Sequence, residues 1–93
     1  MEFEWDPEKD SENHKKHDVE FAEAAPLFAD PLCITVRDPD HSETEDRFII
    51  VGYSNRSRPL IVSHTDRGGR IRIISARQLT PAERHDYEEE THG

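Results

Sequence analysis

The chain has little of what would anchor it in a membrane, cross-link it or give it a large core. Cys33 is its single cysteine, so no internal disulfide can form, and a lone Cys in an apolar run is ordinarily a small core side chain rather than a nucleophile. No apolar run approaches the roughly 20 residues that span a bilayer, and none has the form of a signal peptide, which argues for a cytoplasmic protein. Only 32% of the residues are hydrophobic against 35% charged, a balance near that of disordered chains. The apolar residues nevertheless gather in strand-like runs, so a folded domain of modest stability is expected, and one domain over residues 1–93 exhausts the length. Basic residues are also short, 12 against 21 acidic for a net charge of −9. The overall basic footprint of a nucleic-acid-binding protein is therefore missing.

That shortage is uneven along the chain. Residues 1–46 hold 15 acidic and 4 basic side chains, whereas residues 47–77 hold seven arginines and one acid, Asp66. Such polarisation focuses an anionic ligand on one face while the acidic remainder keeps the protein soluble. The arginines cluster in the stretch around which the chain is organised, Leu60 to Arg77: LIVSHT, then DRGG, then RIRIISAR. Its alternation predicts two strands of an antiparallel hairpin, with Asp66-Arg67-Gly68-Gly69 supplying residues that tolerate positive φ. Ile71 and Ile73 then point to one face and Arg70 and Arg72 to the other.

Taken in order, Phe3 and Trp5 flank Glu4 in a short opening strand. Asp6, Pro7 and Glu8 combine an N-cap, a first-turn Pro and an acid at the positive dipole end, predicting a helix from Pro7 to about Lys16. That helix is polar all round and must lean on the rest of the fold. A second short helix from about Glu20 presents Phe21, Ala24, Ala25 and Phe28 as an amphipathic stripe and should kink or stop near Pro26. LCITV reads as a strand, residues 38–46 as a mobile acidic loop, and Phe48–Tyr53 as a central strand apolar on both faces. After the basic loop Ser54–Arg58 and the hairpin, Thr80-Pro81-Ala82-Glu83 forms a capping box that starts a last helix, expected to lie across the hairpin and to fray at Glu88–Glu90. The fold class is α+β, a twisted, mainly antiparallel sheet with two N-terminal helices on one face and a C-terminal helix.

Four motifs together carry a resemblance: FEWDPEK, the N..KH.V.F.EA..F.DP pattern from Asn13 to Pro31, DRFI at Asp46–Ile49, and HTDRGGRIRIISAR from His64. They resemble the BrnT family of type II toxins, small bacterial proteins with a RelE-like ribonuclease fold. Asp18 stands where that family commonly has Gly, and Asp tolerates a left-handed conformation better than most residues. The resemblance implies messenger-RNA cleavage or translation inhibition, and neutralisation by a cognate antitoxin with a DNA-binding domain, so that DNA is met only through the antitoxin.

RNA cleavage without a metal needs a base for the 2′-hydroxyl proton, a cation for the charged phosphorane and an acid for the leaving oxygen. His64 is the natural base or acid, Arg67, Arg72 and Arg77 offer planar forks for phosphate, and Tyr87 is a further acid or stacking group. Arg70, Arg84 and Lys16 extend the RNA-binding surface. Two alternatives stay open. His64 shares its strand face with Leu60 and Val62, as a core-edge residue would, and the arginines can equally form surface ion pairs with the acidic loop. Asn13, Lys16 and His17 fall on one face of the first helix, where a structural role suits Asn13 and His17. His14 and His17 are spaced as two metal ligands but lack further donors, so no metal or cofactor is expected. A non-catalytic module that grips RNA or a partner, or an inactive toxin kept for antitoxin pairing and promoter control, remains the alternative to an enzyme.

Overall fold

The computed structural model describes residues 1–41 and 45–92. The elements run β1 (Glu2–Glu4), α1 (Pro7–His17), α2 (Phe21–Ala24), β2 (Ile34–Arg37), β3 (Arg47–Tyr53), β4 (Pro59–Arg67), β5 (Arg70–Gln78) and α3 (Pro81–His92). They build one five-stranded sheet in the order β1-β5-β4-β3-β2. Every neighbouring pair is antiparallel except β1 with β5, which is parallel.

Local chemistry explains most boundaries. Asp6 Oδ1 accepts the Glu8 amide at 2.9 Å and opens α1. Asp18 closes it in the left-handed region at φ 58°, the conformation for which glycine would be the easier residue. The second helix keeps α geometry only to Ala24 and tightens into a 3₁₀ segment, Ala25–Ala29, around Pro26, which has no amide hydrogen to continue the ladder. LCITV is strand only from Ile34. Asp30 takes the preceding residues into a turn, its Oδ1 accepting the Leu32 amide at 3.0 Å and its Oδ2 the Tyr53 amide at 2.8 Å. Gly68 and Gly69, at φ 58° and 85°, make the hairpin turn that strands of right-handed twist prefer. The capping box of α3 closes both ways, Thr80 Oγ1 accepting the Glu83 amide at 3.2 Å and Glu83 Oε1 the Thr80 amide at 2.9 Å. Residues 42–44, and with them the expected mobility of the acidic loop, lie outside the described residues.

Two placements differ from the sequence reading. The centre of the sheet is β4; β3 lies one strand from the edge, with the core on one face and α3 over Val51 on the other. Helix α3 leaves the end of the hairpin and lies over Ile34, Val51 and Ile61 on the β2 side of the sheet, holding the hairpin's Arg77 through Glu83 but lying away from Arg70 and Arg72. Tyr87 is buried there, its hydroxyl donating to the Leu32 carbonyl at 2.7 Å, and burial pushes it up to about 12. The helix also continues past its glutamates to His92, supported by Arg84–Glu88 and His85–Glu89 pairs one turn apart.

The core lies on one face, where Val19, Phe21, Ala24 and Leu27 meet Ile50, Leu60, Val62, Ile73 and Ala76. Polar α1 is held at the sheet edge by one side chain. Asn13 Nδ2 donates to the Val19 and Ala76 carbonyls, both at 2.8 Å, and Oδ1 accepts the Ala76 amide at 3.1 Å. β1 pairs only residues 70–72 of β5, so this asparagine supplies the edge hydrogen bonds at Ala76 that a strand would otherwise make.

His64 belongs to the core face. It is 7% exposed, edge-on to Phe28 at 4.8 Å and stacked on Phe48 at 5.7 Å, and neither ring nitrogen has a hydrogen-bond partner among the described residues. Desolvation by burial lowers its pKa, and the charge of Asp66 opposes this only in part. Burial therefore disfavours the imidazolium form in the folded chain.

Two measurements test this arrangement. Asn13→Ala orphans buried groups at about 1–3 kcal/mol each, and a thermal midpoint lower by roughly 8 °C or more is expected; a shift of under about 2 °C would mean α1 is held otherwise. Because His64 has a depressed folded pKa, the unfolded chain binds the extra proton. Its contribution is fully present above the unfolded value of about 6.5 and is lost as the pH falls below it. His64→Phe should flatten the decline in thermal midpoint between about pH 7.5 and 5, and an unchanged slope rejects the assignment.

Candidate active site

The face opposite the core carries the arginines. Alternation on β5 sends Arg70, Arg72 and Arg77 to it, while Ile71, Ile73 and Ala76 turn inward, with the extra residue Ile74 absorbed by a bulge opposite Ser63 and His64. Cross-strand neighbours form rows there. Arg47, Thr65, Arg72 and Glu4 make one; Val36, Ile49, Ser63 and Ser75 the next; Ile34, Val51, Ile61 and Arg77 the third. A band of hydroxyls thus lies between guanidinium groups, with apolar side chains toward β2.

Carboxylates hold these arginines. The parallel register of β1 places Glu2 beside Arg70 and Glu4 beside Arg72, giving contacts of 3.3 and 3.4 Å. Arg67 reaches Glu45 with two bonds of 3.2 and 2.9 Å, and Arg77 grips Glu83 with two of 2.8 and 3.0 Å. The Arg77 guanidinium, helped by the Thr80 amide, draws the Glu83 carboxyl down to about 2. Among the described residues, Arg67 is the hairpin arginine that uses the acidic loop, and Arg70, Arg72 and Arg77 pair with β1 and α3. Exposed pairs of this kind contribute about 0–1 kcal/mol, so a phosphate can take the place of the carboxylate at little cost. Arg58 differs, being committed to buried Glu23, to Ser54 through that same carboxylate and to the Asp18 carbonyl, which ties the Ser54–Arg58 loop to α2.

A trough crosses this face. About 350 Å³ in volume, it is lined by His17, Asp38, Ile49, Ile61, Ser63, Ser75, Ala76 and Arg77. It adjoins, through His17 and Ser75, a cavity of about 250 Å³ bordered by Lys9, Glu12, Asn13, Lys16 and Ile74. On the other side it meets, at Ile61, a cavity of about 260 Å³ beneath α3 that Glu83, Asp86 and Glu90 rim. The apolar groove by Met1, Phe3, Trp5 and Pro26 offers no titratable side chain. Among the described residues, no group of three or more His, Cys, Asp or Glu is arranged to hold a metal ion.

The expected site residues therefore divide. Arg70, Arg72 and Arg77 share the open face. Arg67 sits at the hairpin's far end with Glu45, and Arg84 lies on α3 with Glu88. Lys16 is exposed and borders the neighbouring cavity. His64 faces the core, and Tyr87 is buried on the side of α3 turned to the sheet, its hydroxyl committed to the Leu32 carbonyl. The sequence reading assigned His17 a structural role, yet this residue lines the trough. The available signal was its place next to Lys16 at the end of α1, but nothing local showed that α1 ends beside Ser75.

Comparison with known proteins agrees with this architecture. The family described as the ribonuclease toxin BrnT of type II toxin-antitoxin systems matches residues 5–83. Among solved structures, the crystal structure of the Brucella abortus ribonuclease toxin BrnT is similar, with 23% identity, a TM-score of 0.64, and coverage of 86% of this chain and 97% of that one. A search of curated proteins finds no match. With the fold shared and the family match spanning α1 to the start of α3, the chain belongs to the BrnT family of type II ribonuclease toxins.

Proposed function

We propose that this chain is the toxin of a type II toxin-antitoxin pair, a ribonuclease that cuts RNA without a metal and thereby inhibits translation. The observation that carries the proposal is the display of Arg72 and Arg77 on either side of the Ser63 and Ser75 hydroxyls, on a sheet face open to solvent, in a chain of this family. Two guanidinium groups flanking a phosphodiester oppose the charge that grows on its oxygens as the phosphorane forms, and their planar forks match those oxygens. Arg70 and Lys16 extend the phosphate track beyond the reacting bond. The partner is a cognate antitoxin with a DNA-binding domain, whose acidic side chains take the places that Glu4 and Glu83 hold in the free chain. DNA is reached only through that antitoxin.

A second reading has its own support. His64 and Tyr87 are enclosed, and the hairpin arginines are already matched by carboxylates. A module that binds RNA or the antitoxin without cutting would carry these features too.

Incubating the purified protein with RNA in EDTA separates the two. Cleavage with 2′,3′-cyclic phosphate ends is expected, and binding without cleavage selects the second reading. Arg72→Ala and Arg77→Ala should each slow cleavage by about 100- to 1000-fold, the scale of losing one transition-state donor. Arg72→Lys should restore only part of the rate, because an ammonium keeps the charge without the fork. Wild-type rates in both alanine variants would remove these arginines from the mechanism.

A further inference from the structure

With His64 among the core phenylalanines, the open face lacks the histidine expected there, and α1 brings another to it beside the carboxylate of Asp38. His17 ends that helix where Asn13 fixes it against Ala76, and the residue borders both the trough and the neighbouring cavity. The trough, at about 350 Å³, falls in the range of small-ligand clefts, about 300–1,000 Å³. Its floor at Ile49 and Ile61 is apolar, as a base face requires. Ser63 and Ser75 are cross-strand partners, and neither hydroxyl is engaged by another side chain among the described residues. Arg77 stands at the same wall. Beyond His17 come Lys16 and Lys9, which have no carboxylate partner among the described residues, unlike the hairpin arginines.

We propose that the trough at the α1–β5 seam is a nucleotide subsite for single-stranded RNA, in which His17 takes the proton of the ribose 2′-hydroxyl and Lys16 holds the adjacent phosphate. The base lies on Ile49 and Ile61, and the serine hydroxyls meet the ribose, the part of the ligand that distinguishes RNA from DNA. In the chemical step the 2′-oxygen bonds to phosphorus and the bond from phosphorus to the 5′-oxygen breaks. His17 accepts the 2′ proton, and water supplies the one that the 5′-oxygen needs. The products are a 2′,3′-cyclic phosphate and a 5′-hydroxyl. The chemical half of this inference rests on the ribonuclease reading; the binding half does not.

The test uses a fluorescent 2′-fluoro RNA oligonucleotide, which binds but cannot undergo 2′ attack, beside cleavage of unmodified RNA in EDTA. Ser75→Leu, which fills the trough, and Lys16→Ala should each weaken binding of the fluoro oligonucleotide by about tenfold or more. His17→Ala should bind it within about threefold of wild type yet cut about 100- to 10,000-fold more slowly, the range of a lost general base. His14→Ala, an exposed histidine of the same helix turned toward Asp18 and Glu20, should change neither. Should Ser75→Leu not fold, NMR of the wild type decides, since titration must move the His17 ring signals and leave those of His14 in place. Wild-type binding by a folded Ser75→Leu variant, or unmoved His17 signals, overturns the subsite, and a wild-type cleavage rate in His17→Ala overturns the base. If the wild type binds the oligonucleotide at the trough but cuts nothing, the ribonuclease reading falls and the subsite stands.

Discussion

The pairing of β4 with β5 is the constraint on which the rest of the molecule depends. Side chains alternate along a strand, so a slip of one residue would exchange the contents of the two faces. The turn at Gly68-Gly69 sets this register and the bulge at Ser63/His64 adjusts it. Because it holds, Leu60, Val62 and Ile73 enter the core while Ser63, Arg72 and Arg77 remain outside. β1 then joins β5 in parallel, and each of its glutamates falls beside an arginine.

That second pairing explains how an acidic chain keeps a basic face. The arginines are neither scattered nor bare; they sit in a lattice of carboxylates drawn from β1, the acidic loop and α3. At the surface such pairs are weak and screened by salt, so they order the guanidinium groups without locking them. A phosphate backbone or an acidic partner competes for the same donors. Net charge therefore says little about what this face binds, because the relevant charges are local.

The seam between α1 and β5 is where stability and site meet. Asn13 replaces missing strand hydrogen bonds at Ala76, and the same contact sets the position of the helix end that carries Lys16 and His17. Among the described residues, Asn13 is the side chain of this polar helix that hydrogen-bonds the sheet, while Asp10 accepts the Phe21 amide at 2.8 Å. The buried amide bonds of Asn13 are directional, and direction is what brings His17 to the trough and leaves His14 on the outside.

Much of the fold was legible in local sequence because its causes are local. Asp6-Pro7, Thr80-Pro81-Ala82-Glu83, Gly68-Gly69, the break at Pro26 and the alternation of RIRI each act within a few residues, through capping, turn geometry or strand parity. The motifs also sufficed to point to the family. Tertiary structure alone decided which strand is central, that α3 covers β2 to β4, and which carboxylate each arginine meets, since Glu4 and Arg72 are 68 residues apart. His64 shows the division most clearly. Its parity with Leu60 and Val62 was readable, but only the packing of Phe28 and Phe48 around the ring determined that it stays inside, and only the docking of α1 put His17 on the open face.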